Sequence, residues 1–306
     1  MSAVPELSGP VRAALEAGRP VVALESTIIS HGLPRPENLA AARSFEAMLT
    51  SAGVTPATIA VVDGVPKAGL DDADLERVAL DESVVKVSTR DLGIAMAGKR
   101  TAGTTVAATS VLAAKAGIRV FATGGLGGVH RDFAQSLDES ADLTVLSRTR
   151  ITVVSAGVKS ILDIPATLER LETLGVAVAG YRTSRFPAFY LSDSGQDLDW
   201  RLDSPQEVAA VMAARDLLGD ESALLIANPL APEAQLDPAL HHRILGESLA
   251  AAHAAGIRGK AVTPFLLDYM QRATGGASVE VNLAIARGNI ALAGQIATAW
   301  SERDAS

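Results

Sequence analysis

The chain has no cysteine. That excludes disulfides, thiolate–metal centres and thiol nucleophiles, and it fits a reducing compartment, so a cytoplasmic location is expected. No unbroken apolar run is long enough to span a bilayer, and no membrane partner is expected. The opening segment MSAVPELSGPVRAALEAGRP lacks the apolar core of a secretion signal. Aromatic residues make up only 4%, too few for a platform that stacks single-stranded bases. The net charge is −8 with the basic residues scattered, which argues against a nucleic-acid polymer as partner. A small nucleotide stays open, because one pocket needs only a few cations. Internal repeats, low-complexity tracts and interdomain linkers are also missing. What is plentiful is hydrophobic residues: 48% of 306, enough for one compact domain over 1–306 with a sizeable core.

Short runs rich in Val and Ile alternate with amphipathic stretches. Strands are predicted at Val21–Leu24, Thr58–Val62, Val84–Val87, Val120–Thr123, Ile151–Ser155, Val176–Ala179 and Ala223–Ala227. Helices are predicted at Glu37–Ala52, Thr105–Ala116, Pro165–Leu174, Pro205–Leu217, Pro238–Ala254 and Val279–Trp300. Gly53, Gly117, Gly175 and Gly256 stand just past four of them as stop signals. The alternation predicts an α/β class, layered α/β/α around a central mixed, largely parallel sheet. Tyr181–Gly195 has no clear period and reads as a surface loop, or as a cover over an active site.

In open α/β sheets ligands bind beyond the carboxyl ends of the strands, so the residues there weigh most. Lys159 follows the strand Ile151–Ser155 with Gly157 and Val158 before it and no charged neighbour. The ordinary reading is a solvated charge. The sharper one is a nucleophile, since desolvation disfavours the charged form of a lysine and a neutral amine can attack a carbonyl to give an imine. Glu25 ends the apolar run VVALE, where a carboxylate is costly unless paired or functional; it is a candidate general acid or base, against a hydrogen bond to a neighbouring loop. Lys86 is a cation inside an apolar run, suited to a phosphate or to a buried salt bridge. The stretch Asp138–Asp142 reads as the opening of a helix running towards Ser147. Its acids are then caps and dipole partners, or a site for a hard, hydrated cation such as Mg²⁺ or Mn²⁺. The loop Gly124–Gly128 fails the dinucleotide pattern, with His130 where glycine is required, and lacks a P-loop ending, yet its backbone could approach a ligand. His241, His242 and His253 read as surface residues of a helix, and His31 is undecided.

Taken together, ALEST with IISHGLP, ATGGLGGVHR, DESADL and VSAGVKSILD, followed by FPAFY, ANP, TPF and Asn282, resemble the pseudouridine-5′-phosphate glycosidase family, also called indigoidine-synthase-A-like. The resemblance runs from about residue 8 to about residue 300. It implies Lys159 as nucleophile and Glu25 as proton donor. It also implies Asp138 as ligand of one Mn²⁺ per subunit and Ser140, Ala141 and Asp142 as a substrate-binding segment beside it. Lys86 and Val106 fall on further substrate-binding positions, and Thr123, His130 and Asn282 on pocket residues of less defined role. The implied assembly is a homotrimer. The implied reaction is reversible cleavage of the C–C glycosidic bond of pseudouridine 5′-phosphate to uracil and ribose 5-phosphate. In it Glu25 protonates the ring oxygen, the ribose opens, and Lys159 becomes bonded to C1′ as an imine that assists departure of uracil. A class I aldolase-like Schiff-base enzyme acting on a sugar phosphate, a sugar kinase and a non-catalytic nucleotide sensor remain as alternatives.

Overall fold

A computed structural model describes residues 5–257 and 262–303. The outermost residues of the expected domain, 1–4 and 304–306, lie outside it, as do 258–261. The strands are β1 Glu6–Leu7, β2 Val21–Glu25, β3 Thr55–Val62, β4 Val65–Ala68, β5 Val85–Val87, β6 Ala102–Thr104, β7 Val120–Ala122, β8 Thr152–Ser155, β9 Ala177–Tyr181, β10 Arg201–Leu202 and β11 Leu224–Ala227. The helices are α1 Gly9–Glu16, α2 Glu37–Ser51, α3 Asp72–Leu80, α4 Thr89–Ala97, α5 Val106–Lys115, α6 Phe133–Ser136, α7 Ala141–Leu146, α8 Ile164–Thr173, α9 Pro205–Leu218, α10 Pro238–Ala254, α11 Val262–Ala273 and α12 Ala277–Arg303. None of the helices in the described residues is long and apolar enough to cross a membrane.

All eleven strands join one sheet in the order β1-β4-β3-β2-β7-β8-β11-β9-β10, with β6 branching from β3 and β5 pairing β6. From β3 to β10 every pairing on that path is parallel. The antiparallel contacts are β3 with β4 and β3 with β6. The mixed, largely parallel sheet is therefore as expected.

The central strands are buried on both faces, which is why they read as continuous apolar runs. Successive residues point to opposite sides. Ala23, Phe121, Val153 and Leu225 pack with α1, α5, α7, α8 and α10 on one side. Val22, Leu24, Val154 and Ile226 pack with α2, α9 and α12 on the other. This gives the three layers. The four glycines expected to stop helices all have positive φ: Gly53 74°, Gly117 83°, Gly175 69° and Gly256 65°. Their handedness is one that glycine adopts without strain.

Tyr181–Gly195 is not a surface loop. Phe186, Ala188, Phe189, Tyr190 and Leu191 within it are all buried, and Phe189 donates its N–H to the Ala156 carbonyl at 3.1 Å. The segment lacks a helical or strand period because it is a folded wall rather than an element.

Candidate active site

The ends of β2 and β8 open on a cavity of about 260 Å³. Glu25, Lys86, Val106, His130, Asp138, Ser140, Ala141, Asp142 and Lys159 all line it. A recess of about 50 Å³ shares Glu25, Lys86 and Lys159 with it and continues to His31, Phe189 and Asn282. Thr123 borders neither space directly; its hydroxyl donates to a Glu25 carboxylate oxygen. The candidates picked from strand ends thus converge on one place.

Lys159 is carried there by a turn just after β8. Gly157 has φ 76°, and a Cβ on it would stand 2.6 Å from the Pro187 carbonyl oxygen, so no other residue fits. The Lys159 N–H donates to the Leu126 carbonyl at 3.1 Å, and its Nζ donates to the Gly125 carbonyl at 2.9 Å. The glycine-rich loop after β7 therefore holds the lysine at both ends. Its backbone also borders the open space, Gly127 at the cavity and Gly124 and Gly125 at the recess, and a Cβ on Gly125 would lie 2.6 Å from the Phe189 ring, so glycine there makes room for a protein side chain as well.

Glu25 is the last residue of β2 and is 9% exposed. Burial pushes its carboxyl above the usual carboxylate range, against the Lys159 cation and the Thr123 hydrogen bond, which pull it down. The acid form persists to higher pH than in an exposed glutamate, as a proton donor requires. Lys86 reaches the same cavity from β5. The β5–β6 pair runs against β3, so the ends of β5 and β6 come back to the level of Glu25. Ser26 and Thr104 hold that junction, each hydroxyl donating to the Ile59 carbonyl at 2.6 Å. Burial lowers the Lys86 ammonium first, and the neighbouring Lys159 cation adds to this, while Glu25 and Asp142 oppose it. Lys86 has no ion pair or hydrogen bond to any described residue, so the salt-bridge reading fails and its charge is free for a ligand anion. The first turns of α4 and α5, with their cap residues Ser88 and Thr105, border the cavity beside it and add N-terminal dipoles of the same sign.

The acidic stretch opens a helix running to Ser147 as the sequence reading expects, except that Asp138 stands before it. The helix begins at Ala141, with Ser140 as its cap; the Ser140 hydroxyl accepts from the Asp142 N–H at 3.2 Å. Asp138 is outside the helix and caps nothing. Asp142 is buried and clamps two backbones, accepting from the Ala107 N–H at 2.9 Å and the Gly127 N–H at 2.8 Å. It ties the start of α5 to the glycine-rich loop. The Asp138 side chain is 32% exposed, with one oxygen 3.9 Å from His130 Nε2. Among the described residues no three His, Asp or Glu side chains are grouped to cage a metal. A single accessible carboxylate does suit a divalent cation that keeps most of its waters.

Residues 10–299 match the family described as indigoidine synthase A like protein. The chain belongs to that family. A pseudouridine-5′-phosphate glycosidase of Frankia alni is 61% identical over 98% of this chain and 83% of its own length. One of Saccharopolyspora erythraea is 60% identical over 97% and 98%. Among solved structures, the prealnumycin C-glycosynthase AlnA in complex with ribulose 5-phosphate superposes with a TM-score of 0.92 at 37% identity, covering 100% of this chain and 99% of that one. An indigoidine synthase A-like protein of Thermotoga maritima gives 0.89 at 35% identity, over 98% of each.

Sequence reasoning missed two residues of this indigoidine synthase A-like site. Asn289, 1% exposed in α12, donates to the Thr123 carbonyl at 2.7 Å. His241 is not a surface residue: it is 3% exposed and its Nε2 meets the Ser160 hydroxyl at 2.9 Å, next to Lys159. Burial takes its pKa down to about 4, so it is a neutral structural partner. Phe189, in the segment read as a surface loop or a cover over an active site, walls the recess, which favours the cover. His31 also lines the recess, with Nδ1 2.8 Å from the Ser30 hydroxyl, and burial followed by the Lys86 charge keeps it below its ordinary value. The signal for Asn289 was a lone Asn on a helix of apolar periodicity, which sequence alone reads as an exposed position.

Proposed function

We propose that this chain, as one domain, reversibly cleaves the C–C glycosidic bond of pseudouridine 5′-phosphate to uracil and ribose 5-phosphate, as a lyase. The observation that carries the reading is a lysine amine and a buried carboxylic acid facing one cavity, joined through Thr123–Gly125. Glu25 in its acid form gives its proton to the ring oxygen as the bond from that oxygen to C1′ opens. The Lys159 amine bonds to C1′. The bond from C1′ to uracil C5 then breaks as the nitrogen lone pair forms the C1′=N imine, and the departing electron pair takes up, at C5, the proton that the amine sheds on bonding. Water adds to the imine carbon, releasing the sugar aldehyde and restoring the amine. A carbon leaving group makes this route preferable to the two-carboxylate chemistry of ordinary glycosidases. The test is chromatography of uracil after incubation with the nucleotide. Release of uracil supports the reading; an intact nucleotide alongside cleavage of an aldol substrate would move it to the aldolase-like alternative.

Lys86, with the starts of α4 and α5, is proposed to hold the phosphate. Such a charge-assisted contact contributes roughly 1.5–3 kcal/mol, about one to two powers of ten in kcat/KM. Lys86→Ala should lose that much on pseudouridine 5′-phosphate and far less on free pseudouridine, because the phosphate's remote binding energy holds the sugar in place. Equal losses on both would place the phosphate elsewhere.

Asp138 is proposed to hold one Mn²⁺ per subunit, with Ser140 and His130 close by. A bound cation there would neutralise phosphate charge. Asp138→Asn should weaken activation by Mn²⁺ while leaving the thermal midpoint nearly unchanged, since Asp138 caps no helix. Unaltered Mn²⁺ activation in the variant would remove the ion from this carboxylate. A homotrimer in the cytoplasm belongs to the same proposal, and light scattering that gives any mass but three chains would revise the assembly.

A further inference from the structure

We infer that Asn289, on the α12 face of the sheet, is a positioning residue that fixes the spacing between the acid and the nucleophile; this rests on the functional reading above. Its Nδ2 donates to two successive carbonyls, Thr123 at 2.7 Å and Gly124 at 3.3 Å. Its Oδ1 accepts from Asn228 Nδ2 at 2.9 Å, and Asn228 is itself pinned by its N–H to the Ser155 carbonyl at 2.8 Å. The run it grips is short and touches both reacting groups. The Thr123 hydroxyl donates to Glu25, and the Gly125 carbonyl accepts from Lys159 Nζ at 2.9 Å. Within the sheet, the run is also bonded to the β8 side, Thr123 N–H to the Val154 carbonyl and Ala156 N–H to the Gly124 carbonyl, both at 3.0 Å. Those bonds fix it sideways. Asn289 holds it from the helical layer.

The surroundings make this an unusual place for an amide. Ile285, Ala286, Ile290 and Ala293 on the same helix are buried in the apolar core. A carboxamide there is costly unless every polar atom is partnered, and here each is. Both partners of its amino group are carbonyls, which fixes the orientation of the amide. If the donor is lost, the buried Thr123 carbonyl loses its partner, the Gly124 carbonyl keeps only the Ala156 N–H, and the run turns towards another donor. The first residue then moves relative to Glu25 and the last relative to Lys159.

The test uses two variants of the full chain. Asn289→Leu keeps the volume and removes the donor. Asn228→Asp, at a half-buried position, puts a carboxylate against Oδ1 and disfavours the present amide orientation. In both, kcat on pseudouridine 5′-phosphate should fall by about ten- to a hundredfold, the scale of an ångström-sized misplacement. KM should change much less, because Lys86 and the starts of α4 and α5 are untouched. The alkaline limb of the kcat profile that reports Glu25 should shift, as its Thr123 partner moves. A loss that merely follows the folded fraction, with the pH limb in place, overturns the inference; if Asn289→Leu does not fold, Asn228→Asp decides. If the wild-type protein leaves the nucleotide intact, the functional reading falls instead. The anchor is then judged by a crystal structure of Asn228→Asp, where an unmoved Thr123–Gly125 run overturns it.

Discussion

Lys159→Arg should release no uracil from pseudouridine 5′-phosphate. The guanidinium stays protonated at every accessible pH and cannot form the imine, although it keeps the charge and much of the length of the lysine. The fold should survive, since the backbone of residue 159, not its side chain, makes the bond to Leu126. Binding of ribose 5-phosphate, followed by calorimetry, should persist in weakened form through Lys86. The contrast of binding without turnover separates a nucleophile from a lysine that merely attracts an anion. Turnover in Lys159→Arg above a small fraction of wild type would end the imine mechanism.

Glu25→Gln should lower kcat by about 10²–10⁴-fold, the usual contribution of a positioned acid or base. Glutamine fills the same space at the end of β2 and can still accept from Thr123, but it has no proton of the required acidity to give. The pH profile carries the sharper signature. Burial raises the Glu25 carboxyl, so the acid form is present below that raised value and disappears as pH rises through it. The wild-type kcat should therefore decline on its alkaline side at a pH above the ordinary carboxylate range, and this limb should vanish in the variant. Stability should move the other way. The folded-state pKa stands above the unfolded one, so Glu25 subtracts stability as pH rises between the two. Glu25→Gln should remove that loss and be at least as stable as wild type above this window. A variant of normal kcat, or one that keeps the alkaline limb, would assign the proton to another group.

How much of this could be read beforehand depends on where each constraint resides. The seven strands expected from Val- and Ile-rich runs are all present, because strands buried on both faces must be apolar throughout. β6 was not legible: Ala102-Gly103-Thr104 has almost no strand propensity, and it is held by Thr104 and Ser26 sharing the Ile59 carbonyl from distant parts of the chain. β4 contains Pro66 and sits near the edge of the sheet. Glu25, Lys86 and Lys159 stood out because a charge at the end of, or within, an apolar run is locally anomalous. Asn289 and His241 did not, since a polar residue on a long helix is locally ordinary and only the packing of α12 and α10 against the site buries it. Asp142 was legible as an acid near a helix start, yet its clamp between Ala107 and Gly127 joins segments far apart in sequence.

The claim on which the rest depends is that Lys159 becomes covalently bonded to C1 of the sugar phosphate. Incubating the protein with ribose 5-phosphate and borohydride, then mapping the peptides by mass spectrometry, tests it directly. One reduced pentose phosphate adduct is expected, on Lys159, appearing with loss of activity. An adduct confined to Lys86 or another lysine, or an active protein that gives no adduct, would contradict it.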